Sequence, residues 1–236
     1  MYIQQVEVQV EPERLELWDA HVRNYLAVSA RQPGGVWFRT LRFVDDPYRF
    51  LHMRAWRTKE DHQQSWDSLE MDLAGRFARE NPLYGGRPIV RSDFELMDMV
   101  WGPKGPGVYP SEGRYVHHIT GRVGADKYEQ WRPYSRTLFG VMARQPGIAS
   151  FEIMRPGTDP EGFLVLRSFL SEDDQHYGPG PEASVEVQYA TEPVRTYDLY
   201  AGAEPAVVRK CTLHDMVWGL EGARACQEFM EGLQPI

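Results

Sequence analysis

The chain contains two copies of one segment, and this duplication constrains its fold more than any other feature. The pentapeptide ARQPG occurs at residues 30–34 and again at 143–147, an offset of 113. A second pentapeptide, DMVWG, occurs at 98–102 and 215–219, where the offset has grown to 117. A register kept over such a length predicts two tandem repeats of one structural unit. Single residues that match at the offset of 113 include Tyr2, Trp18, Phe38, Arg54 and Asp61 with Tyr115, Trp131, Phe151, Arg167 and Asp174.

Within the first copy, the hydrophobic pattern changes between the period of a strand and that of a helix. Apolar and polar residues alternate over residues 2–10, which is typical of a strand with one face on a core. After Thr58, a residue suited to cap a helix, Trp66, Leu69, Leu73 and Phe77 recur at helical spacing and predict an amphipathic helix. The predicted elements are strand 2–10, a helix from Pro12 to the Pro33-Gly34-Gly35 stop, strands 36–44 and 48–56, the helix after Thr58 and strand 93–101.

This order, β-α-β-β-α-β, predicts an α+β protein made of two tandem ferredoxin-like repeats. We expect a first domain at 1–102, a Gly/Pro-rich linker at 103–113, a second domain at 114–219 and a helical tail at 220–236. A four-stranded sheet with helices on one face leaves its other face open. Two copies therefore predict an intramolecular dimeric α+β barrel, in which the open faces close on each other around a small-molecule cavity. In copy two, the prolines within 178–181 predict a short or broken second helix.

Composition excludes several classes of function. The net charge is −8 without a basic stripe, so neither nucleic acid nor an anionic membrane is an expected partner. The start of the chain lacks the pattern of a signal peptide and no apolar run approaches ~18 residues, so we expect a cytoplasmic protein. Cys211 and Cys226 form no CxxC pair, and neither His117 nor His118 has metal-ligand spacing to a second His or carboxylate, so no metal site is expected. No Gly-rich nucleotide-binding motif is present.

Strand alternation selects candidate cavity residues. On strand 48–56, Leu51, Met53 and Ala55 form a smooth apolar face that we expect to meet helices. The opposite face is then expected to point into the interior between the two sheets. Its members are Tyr48, Phe50, His52, Arg54 and Trp56, with Glu161, Phe163, Val165, Arg167 and Phe169 in the second copy. Because His52 and Trp56 have no chemical counterpart in copy two, we expect the reactive site in the first half.

The passage YRFLHMRAWRTKEDHQQSW, residues 48–66, resembles the antibiotic biosynthesis monooxygenase superfamily, whose dimeric α+β barrels include anthrone- and quinone-forming oxygenases and haem-degrading enzymes. An ordinary member corresponds to one half of this chain, so the chain resembles a fused dimer. The resemblance implies Trp56 as the family's pocket Trp and places His52 where many members have Asn. At the position of the axial His of haem-degrading members, this chain has Trp66.

The resemblance to fused members that process aromatic polyketides implies a monooxygenase acting on a polycyclic phenol, hydroquinone or anthrone, with or without ring opening. It implies molecular oxygen and either no cofactor or diffusible reduced flavin (FADH2 or FMNH2), supplied by a flavin reductase. Oxygenation without a metal requires a substrate anion, so we expect His52 as base, Arg54 as anion stabiliser and Trp56 as stacking wall. Further substrate-binding residues are expected to be Tyr48, Phe50, Trp66, Phe163, Arg167, Phe169 and His176.

Two other functional classes stay open, as does the assembly state. A non-redox cyclase or isomerase could use the same His52 and Arg54 to move a proton, and a non-catalytic binding barrel would need neither. His52 could also be a core imidazole satisfied by its neighbours, with Arg54 and Arg167 paired to buried acids. Duplication within one chain is compatible with a monomer or a homodimer.

Overall fold

The computed structural model describes residues 1–104, 114–176, 184–200, 202–220 and 222–232. Most of the expected linker and the Gly/Pro segment at 178–181 lie outside these residues. The strands are β1 Tyr2–Gln9, β2 Gly35–Phe43, β3 Arg49–Trp56, β4 Val90–Trp101, β5 Tyr115–Arg122, β6 Ile148–Pro156, β7 Gly162–Phe169 and β8 Val207–Trp218. The helices are α1 Leu15–Ala30, α2 Lys59–Trp66, α3 Leu69–Glu80, α4 Tyr128–Met142, α5 Val185–Thr196 and α6 Gly222–Gly232.

The two tandem β-α-β-β-α-β repeats are confirmed. Around the first repeat, the hydrogen-bonded strand order is β4-β1-β3-β2, and around the second it is β8-β5-β7-β6. Both are the order of a ferredoxin-like sheet, and the pairs β1–β3, β2–β3, β5–β7 and β6–β7 are antiparallel. A register irregularity occurs at the start of β2 and, 113 residues later, at the start of β6.

The chain divides into two compact units that differ from the expected linear domains. Unit 1 comprises Met1–Glu95 and Thr212–Gly232, and unit 2 contains Leu96–Cys211. The divisions between the units fall within the 12-residue strands β4 and β8. The boundaries expected at residues 102 and 219 therefore mark the repeats of the sequence, whereas unit 1 combines segments from both ends of the chain.

Matching side-chain contacts occur in both repeats. In unit 1, the Arg42 side chain donates to the Pro47 carbonyl (2.9 Å), and in unit 2 Arg155 donates to the Pro160 carbonyl (3.0 Å). These pairs hold the β2–β3 and β6–β7 hairpins in the same way. The offset of 113 therefore describes equivalent positions in three dimensions as well as in sequence.

The predicted helix after Thr58 is two helices. Thr58 caps α2 through a reciprocal capping box with Asp61, and Ser68 caps α3 by accepting from the Met71 amide (3.2 Å). The expected apolar face is wrong, since the side chains of that face are exposed, Leu69 at 71%, and α3 buries Met71 and Ala74 instead. Because Ser68 begins a new helix, Trp66 and the apolar residues after it belong to different helices. Their spacing therefore does not define one helix face.

The short second helix expected in copy two is present in part. A 3₁₀ turn, Asp173–His176, takes the place of α2, and α5 begins at Val185. In the tail, α6 forms as expected but buries Ala225 and Cys226, while Leu220 and Ala223 are exposed. Among the described residues, no helix has both the length and the apolar character needed to cross a membrane.

Candidate active site

Unit 1 contains a cavity of about 290 Å³ between its sheet and the helices α1 and α3. This volume is at the lower limit of typical small-molecule sites, about 300 Å³. The lining combines aliphatic residues with two histidines, three arginines and three aromatic side chains. Its members are Val6, Val8, His21, Val22, Tyr25, Leu26, His52, Arg54, Trp66, Gly75, Ala78, Arg79, Tyr84, Ile89 and Arg91.

The strand register sets the floor of the cavity. Val6 of β1 pairs with His52 of β3 on one side and with Arg91 of β4 on the other. Two residues before Val6 on β1, Gln4 pairs with Arg54 of β3. Residues that are paired across strands share a face of the sheet, so His52, Val6 and Arg91 form one row below α1.

The expected orientation of β3 is wrong. Its face with Phe50, His52, Arg54 and Trp56 meets the helices of its own unit and does not line an interior between two sheets. Trp18 of α1 lies directly on Phe50, with ring centroids 3.9 Å apart. Both faces of β3 are largely buried, so the alternation of residue types could not distinguish the helix side from the opposite side.

Arg54 is a partly buried cation in the cavity. One Nη donates to the neutral side-chain oxygen of Gln4 (3.2 Å), and the guanidinium lies over the rings of Tyr25 (4.8 Å) and Trp66 (5.7 Å). Its Nε is buried without a hydrogen-bond partner, and no carboxylate of the described residues forms an ion pair with it. A desolvated cation without a counter-ion is a site at which an anion binds favourably.

His52 lies two residues from Arg54 on the same face, and 6% of its surface is exposed. Its Nδ1 is hydrogen-bonded to the hydroxyl of Thr40 (2.9 Å), and within the described part of the chain the ring has no other hydrogen bond. Burial, followed by the charges of Arg54, His21 and His214, lowers the pKa of His52 to about 3. The imidazole is therefore neutral near pH 7, and Nε2 is a proton acceptor in the tautomer whose Nδ1–H donates to Thr40.

Trp66 is held over the cavity by a histidine one helical turn earlier. Its indole Nε1 donates to Nε2 of His62 (2.9 Å), while 42% of the Trp66 surface is exposed. Burial and the charge of Arg54 lower the pKa of His62 to about 4, so this ring remains a neutral acceptor. The bond fixes one face of the Trp66 indole beside Arg54, where it can contact a planar ligand.

Of the first-half residues expected to bind substrate, His52, Arg54 and Trp66 line the cavity. Trp56 does not line it and packs edge-on against Phe38, with centroids 5.1 Å apart. Phe50 is covered by Trp18, and Tyr48 precedes β3, so neither contributes to the lining.

In unit 2, the matching face of β7 packs against its own helix α4. Phe163 stacks on Trp131 (4.9 Å between centroids), and Phe169 belongs to the same core cluster. Arg167 donates to Nδ1 of His117 (2.9 Å), so His117 carries its proton on Nε2 and donates it to Gln175 (3.0 Å). Burial lowers the pKa of Arg167 to about 10. His176, the other residue of this half that was expected to bind substrate, is the last residue of the 3₁₀ turn Asp173–His176.

Several lining residues were missed by the sequence analysis. His21 and Tyr25 follow Trp18 at spacings of three and seven residues, so they share the inner side of the predicted first helix, and a polar residue there was a usable signal. Tyr84 comes from the segment that leads into β4 and Arg91 from the beginning of β4, where no periodic pattern marks them. Among the described residues, no group of three or more His, Cys, Asp or Glu side chains has the arrangement of a metal site.

A family model and several solved structures resemble this chain. Residues 1–73 match the model of the antibiotic biosynthesis monooxygenase family. A candidate monooxygenase from Lactobacillus acidophilus aligns with a TM-score of 0.69 at 9% identity, over 92% of this chain and 96% of its own. A second, from Fusobacterium nucleatum, aligns at 0.71 and 5% identity, over 93% and 95%. An anthrone oxidase-like protein aligns at 0.62 and 14% identity, over 94% of both chains.

No curated protein matches the chain. The structural alignments extend over both repeats, and at such low identity they establish the fold alone. The family match covers β1 to the beginning of α3, which contains His52, Arg54 and Trp66. The beginning of the first repeat is thus similar to the antibiotic biosynthesis monooxygenase family, and the whole chain has a tandem ferredoxin-like fold.

Proposed function

We propose that this protein is an oxygenase that converts a polycyclic phenol, hydroquinone or anthrone into a quinone. The observation that carries the proposal is the Arg54 guanidinium, which lies in an aromatic cavity without a carboxylate partner among the described residues and next to the neutral imidazole of His52. This arrangement suits a ligand whose reacting group arrives neutral and becomes an anion in the site.

The chemistry of oxygen explains why such a site is useful. Ground-state O2 is a triplet and reacts slowly with closed-shell organic molecules, unless an electron-rich anion transfers one electron to it. The protein therefore needs to remove a proton from the substrate and to stabilise the resulting oxyanion. A fixed cation in a dry cavity performs the second task well, because it needs no reorganisation when the charge develops.

For an anthrone, the reaction can be balanced without an external reductant. Nε2 of His52 takes the proton, and the oxyanion forms beside Arg54. The substrate anion gives one electron to O2, and the two radicals combine into a carbon-bound peroxide. Cleavage of the O–O bond, with loss of the second C–H proton, leaves a carbonyl in place of the CH2 group and releases one water. One oxygen atom enters the product, and all four electrons come from the substrate.

The lowered pKa of His52 shapes this proton transfer. In the empty cavity, the imidazolium form is disfavoured by burial and by Arg54. A substrate oxyanion beside the ring opposes both effects, since an opposite charge within a few Å raises the pKa of a histidine. His52 is thus a base whose protonated form is stabilised by the anion that it creates, so proton transfer is coupled to the presence of substrate.

Reduced flavin is the alternative source of electrons. Its planar, anionic ring suits the same contacts, namely Arg54 for charge and Trp66 and Tyr25 for stacking; when bound, it would supply the electrons that reduce O2. A flavin reductase would then be the partner, and ring opening would become a possible outcome for the substrate.

Oxygen uptake tests the proposal. We expect the purified protein to consume O2 with an anthrone in the absence of flavin, and we expect His52→Ala and Arg54→Gln to reduce the rate by about 100-fold each. His117→Gln is the matched control, because it removes a histidine of unit 2 that is outside the cavity. Its rate should stay within about twofold of that of the parent protein.

The same assay separates the competing functions. Uptake that requires added reduced flavin would favour the flavin-dependent form, and mass spectrometry of the product would distinguish a quinone from a ring-opened acid. Conversion of the anthrone without O2 uptake would identify a non-redox cyclase or isomerase. Tight binding without conversion under any condition would leave a binding protein and would refute the oxygenase.

A further inference from the structure

The floor of the cavity carries a second cation at a distance from the first. Arg91 lies in the same cross-strand row as His52, with Val6 of β1 between them. Adjacent strands are about 4.8 Å apart, so the Cα atoms of His52 and Arg91 are about 10 Å apart across the floor. A fused aromatic ring system placed across β1 would reach from one end of this row to the other.

The two ends of the row differ in exposure. His52 is buried, whereas Arg91 is exposed and contributes to the outer part of the lining. No carboxylate of the described residues forms an ion pair with Arg91. The third lining arginine, Arg79, is already neutralised by Asp72 (2.5 Å). Arg91 is therefore an available cation at the mouth of the cavity.

The cavity lining as a whole is cationic, although the chain is acidic. Its lining residues include no aspartate or glutamate, while the complete chain has a net charge of −8. A concave site of one sign concentrates ligands of the opposite sign. A ligand with one ionised group before any reaction fits this field better than a neutral phenol does.

We propose that the substrate is an aromatic carboxylic acid, whose carboxylate binds Arg91 at the mouth while its phenol or anthrone ring lies at His52 and Arg54. The inference rests on the proposed function for the inner end of the site and adds the substrate class. Arg91 orients the ring, because a guanidinium binds a carboxylate through two parallel hydrogen bonds. The carboxylate takes no part in the oxidation.

Binding measurements in the absence of turnover test this assignment. The probes are 6-hydroxy-2-naphthoic acid and its methyl ester, which differ only in the charge of the remote group. Quenching of tryptophan fluorescence, to which Trp66 contributes, reports their affinities for the full-length protein. We expect the acid to bind about tenfold more tightly than the ester, as for a hydrogen bond to a charged group.

Variants at two neighbouring arginines identify the residue responsible. Arg91→Gln should reduce the acid-to-ester affinity ratio to about one, and Arg91→Lys should retain part of the preference because it keeps the charge but loses the bidentate geometry. Arg87→Gln is the matched control, since Arg87 is exposed four residues earlier and does not line the cavity. It should keep the full preference.

The outcomes distinguish this inference from the proposed function. Equal binding of acid and ester to the parent protein, or a preference that survives Arg91→Gln, would overturn the assignment of Arg91, whatever the oxygen assay shows. A preference that is lost in Arg91→Gln and kept in Arg87→Gln supports it, even if no O2 is consumed, because the probes need no oxidation to bind.

Discussion

At the scale of single residues, the site depends on the environment of two polar groups on one face of β3. The hydroxyl of Thr40 holds the His52 ring through a hydrogen bond to Nδ1, and the His52 side chain lines the cavity. Arg54 is close enough to lower the pKa of His52 and is held by the neutral Gln4. A carboxylate in place of Gln4 would neutralise Arg54, so the amide at this position keeps the cation available.

The lowered pKa of His52 predicts a specific dependence of stability on pH. An unfolded histidine titrates near 6.5, so between pH 6.5 and about 3 the unfolded chain binds a proton that folded His52 does not. The stabilisation is complete above pH 6.5 and is lost as pH falls, by about 2 kcal/mol at pH 5 for this residue. The free energy of unfolding of His52→Gln, measured in urea, should therefore fall about 2 kcal/mol less than that of the parent protein between pH 7.5 and pH 5. Parallel losses in both proteins would show that His52 titrates normally in the folded state.

Sequence reasoning identified the chemistry of β3 but not its direction. His52 and Arg54 could be selected because a histidine and an arginine at alternate positions of an apolar strand are unusual. Their side of the sheet could not be selected, because Leu51 and Met53 on the other face are equally buried. The family resemblance implied Trp56 as the pocket tryptophan. In the structure, Trp56 packs against Phe38, and Trp66 lines the cavity.

At the scale of elements, the turns that end α1 and α4 show how the repeat maintains its geometry. Gly34 has a φ of +74°, and an added Cβ would lie 2.3 Å from Cγ of Asp61, the residue that completes the α2 cap. Gly147 has a φ of +84° and meets Asp174 in the same way, at 2.1 Å. Each glycine thus allows the cap of the following helix to pack against the turn.

Gly34→Ala should lower the free energy of unfolding by more than the strain of an alanine at positive φ alone. An alanine at positive φ costs about 1–2 kcal/mol, and the overlap with Asp61 should add about 1–3 kcal/mol. Gly86→Ala is the matched control, with a φ of +73° and no atom within 4 Å of the added Cβ. Urea unfolding of both variants isolates the contact with Asp61 as the difference between them. Equal destabilisation of the two variants would mean that Asp61 moves away without cost.

Helix boundaries were predicted correctly where a capping residue stands alone, and were missed where a capping residue lies within an apolar pattern of helical spacing. The capping role of Thr58 was predictable because a short polar side chain precedes the helix and an acidic residue follows three positions later. The second cap at Ser68 was not, since Leu69 and Leu73 continue the apparent periodicity across it. The break between α2 and α3 places Trp66 at a helix end beside the cavity.

At the scale of the whole molecule, the two repeats have kept their framework and changed their sites. Arg54 and Arg167 occupy equivalent positions, but the partner of Arg54 is Gln4, whereas Arg167 bonds to His117. The position of His52 is Val165 in the second repeat, which packs in the core of unit 2. The expectation that the reactive site lies in the first half remains a prediction, and the cavity in unit 1 supports it.

Unit 1 is built from two separate segments of the chain, so we expect that the first repeat does not fold alone. A fragment of residues 1–102 lacks Thr212–Gly232, which supplies the bond from the Gly219 amide to the Val36 carbonyl (2.8 Å) and the buried face of α6. We expect this fragment to unfold without cooperativity in urea, as followed by tryptophan fluorescence. Joining residues 207–232 to it through a Gly-Ser linker should restore a cooperative transition. A fragment 1–102 with the midpoint of the full chain would contradict the assignment of these segments to one unit.

The central claim is that the cavity of unit 1 binds its ligand as an anion stabilised by Arg54. The most direct test is the absorbance spectrum of a bound nitro-substituted naphthol, recorded over a range of pH with saturating protein. We expect binding to lower the pKa of the naphthol by about one unit or more, and we expect Arg54→Gln to remove this shift. A bound naphthol whose pKa is unchanged or raised in the parent protein would contradict the claim.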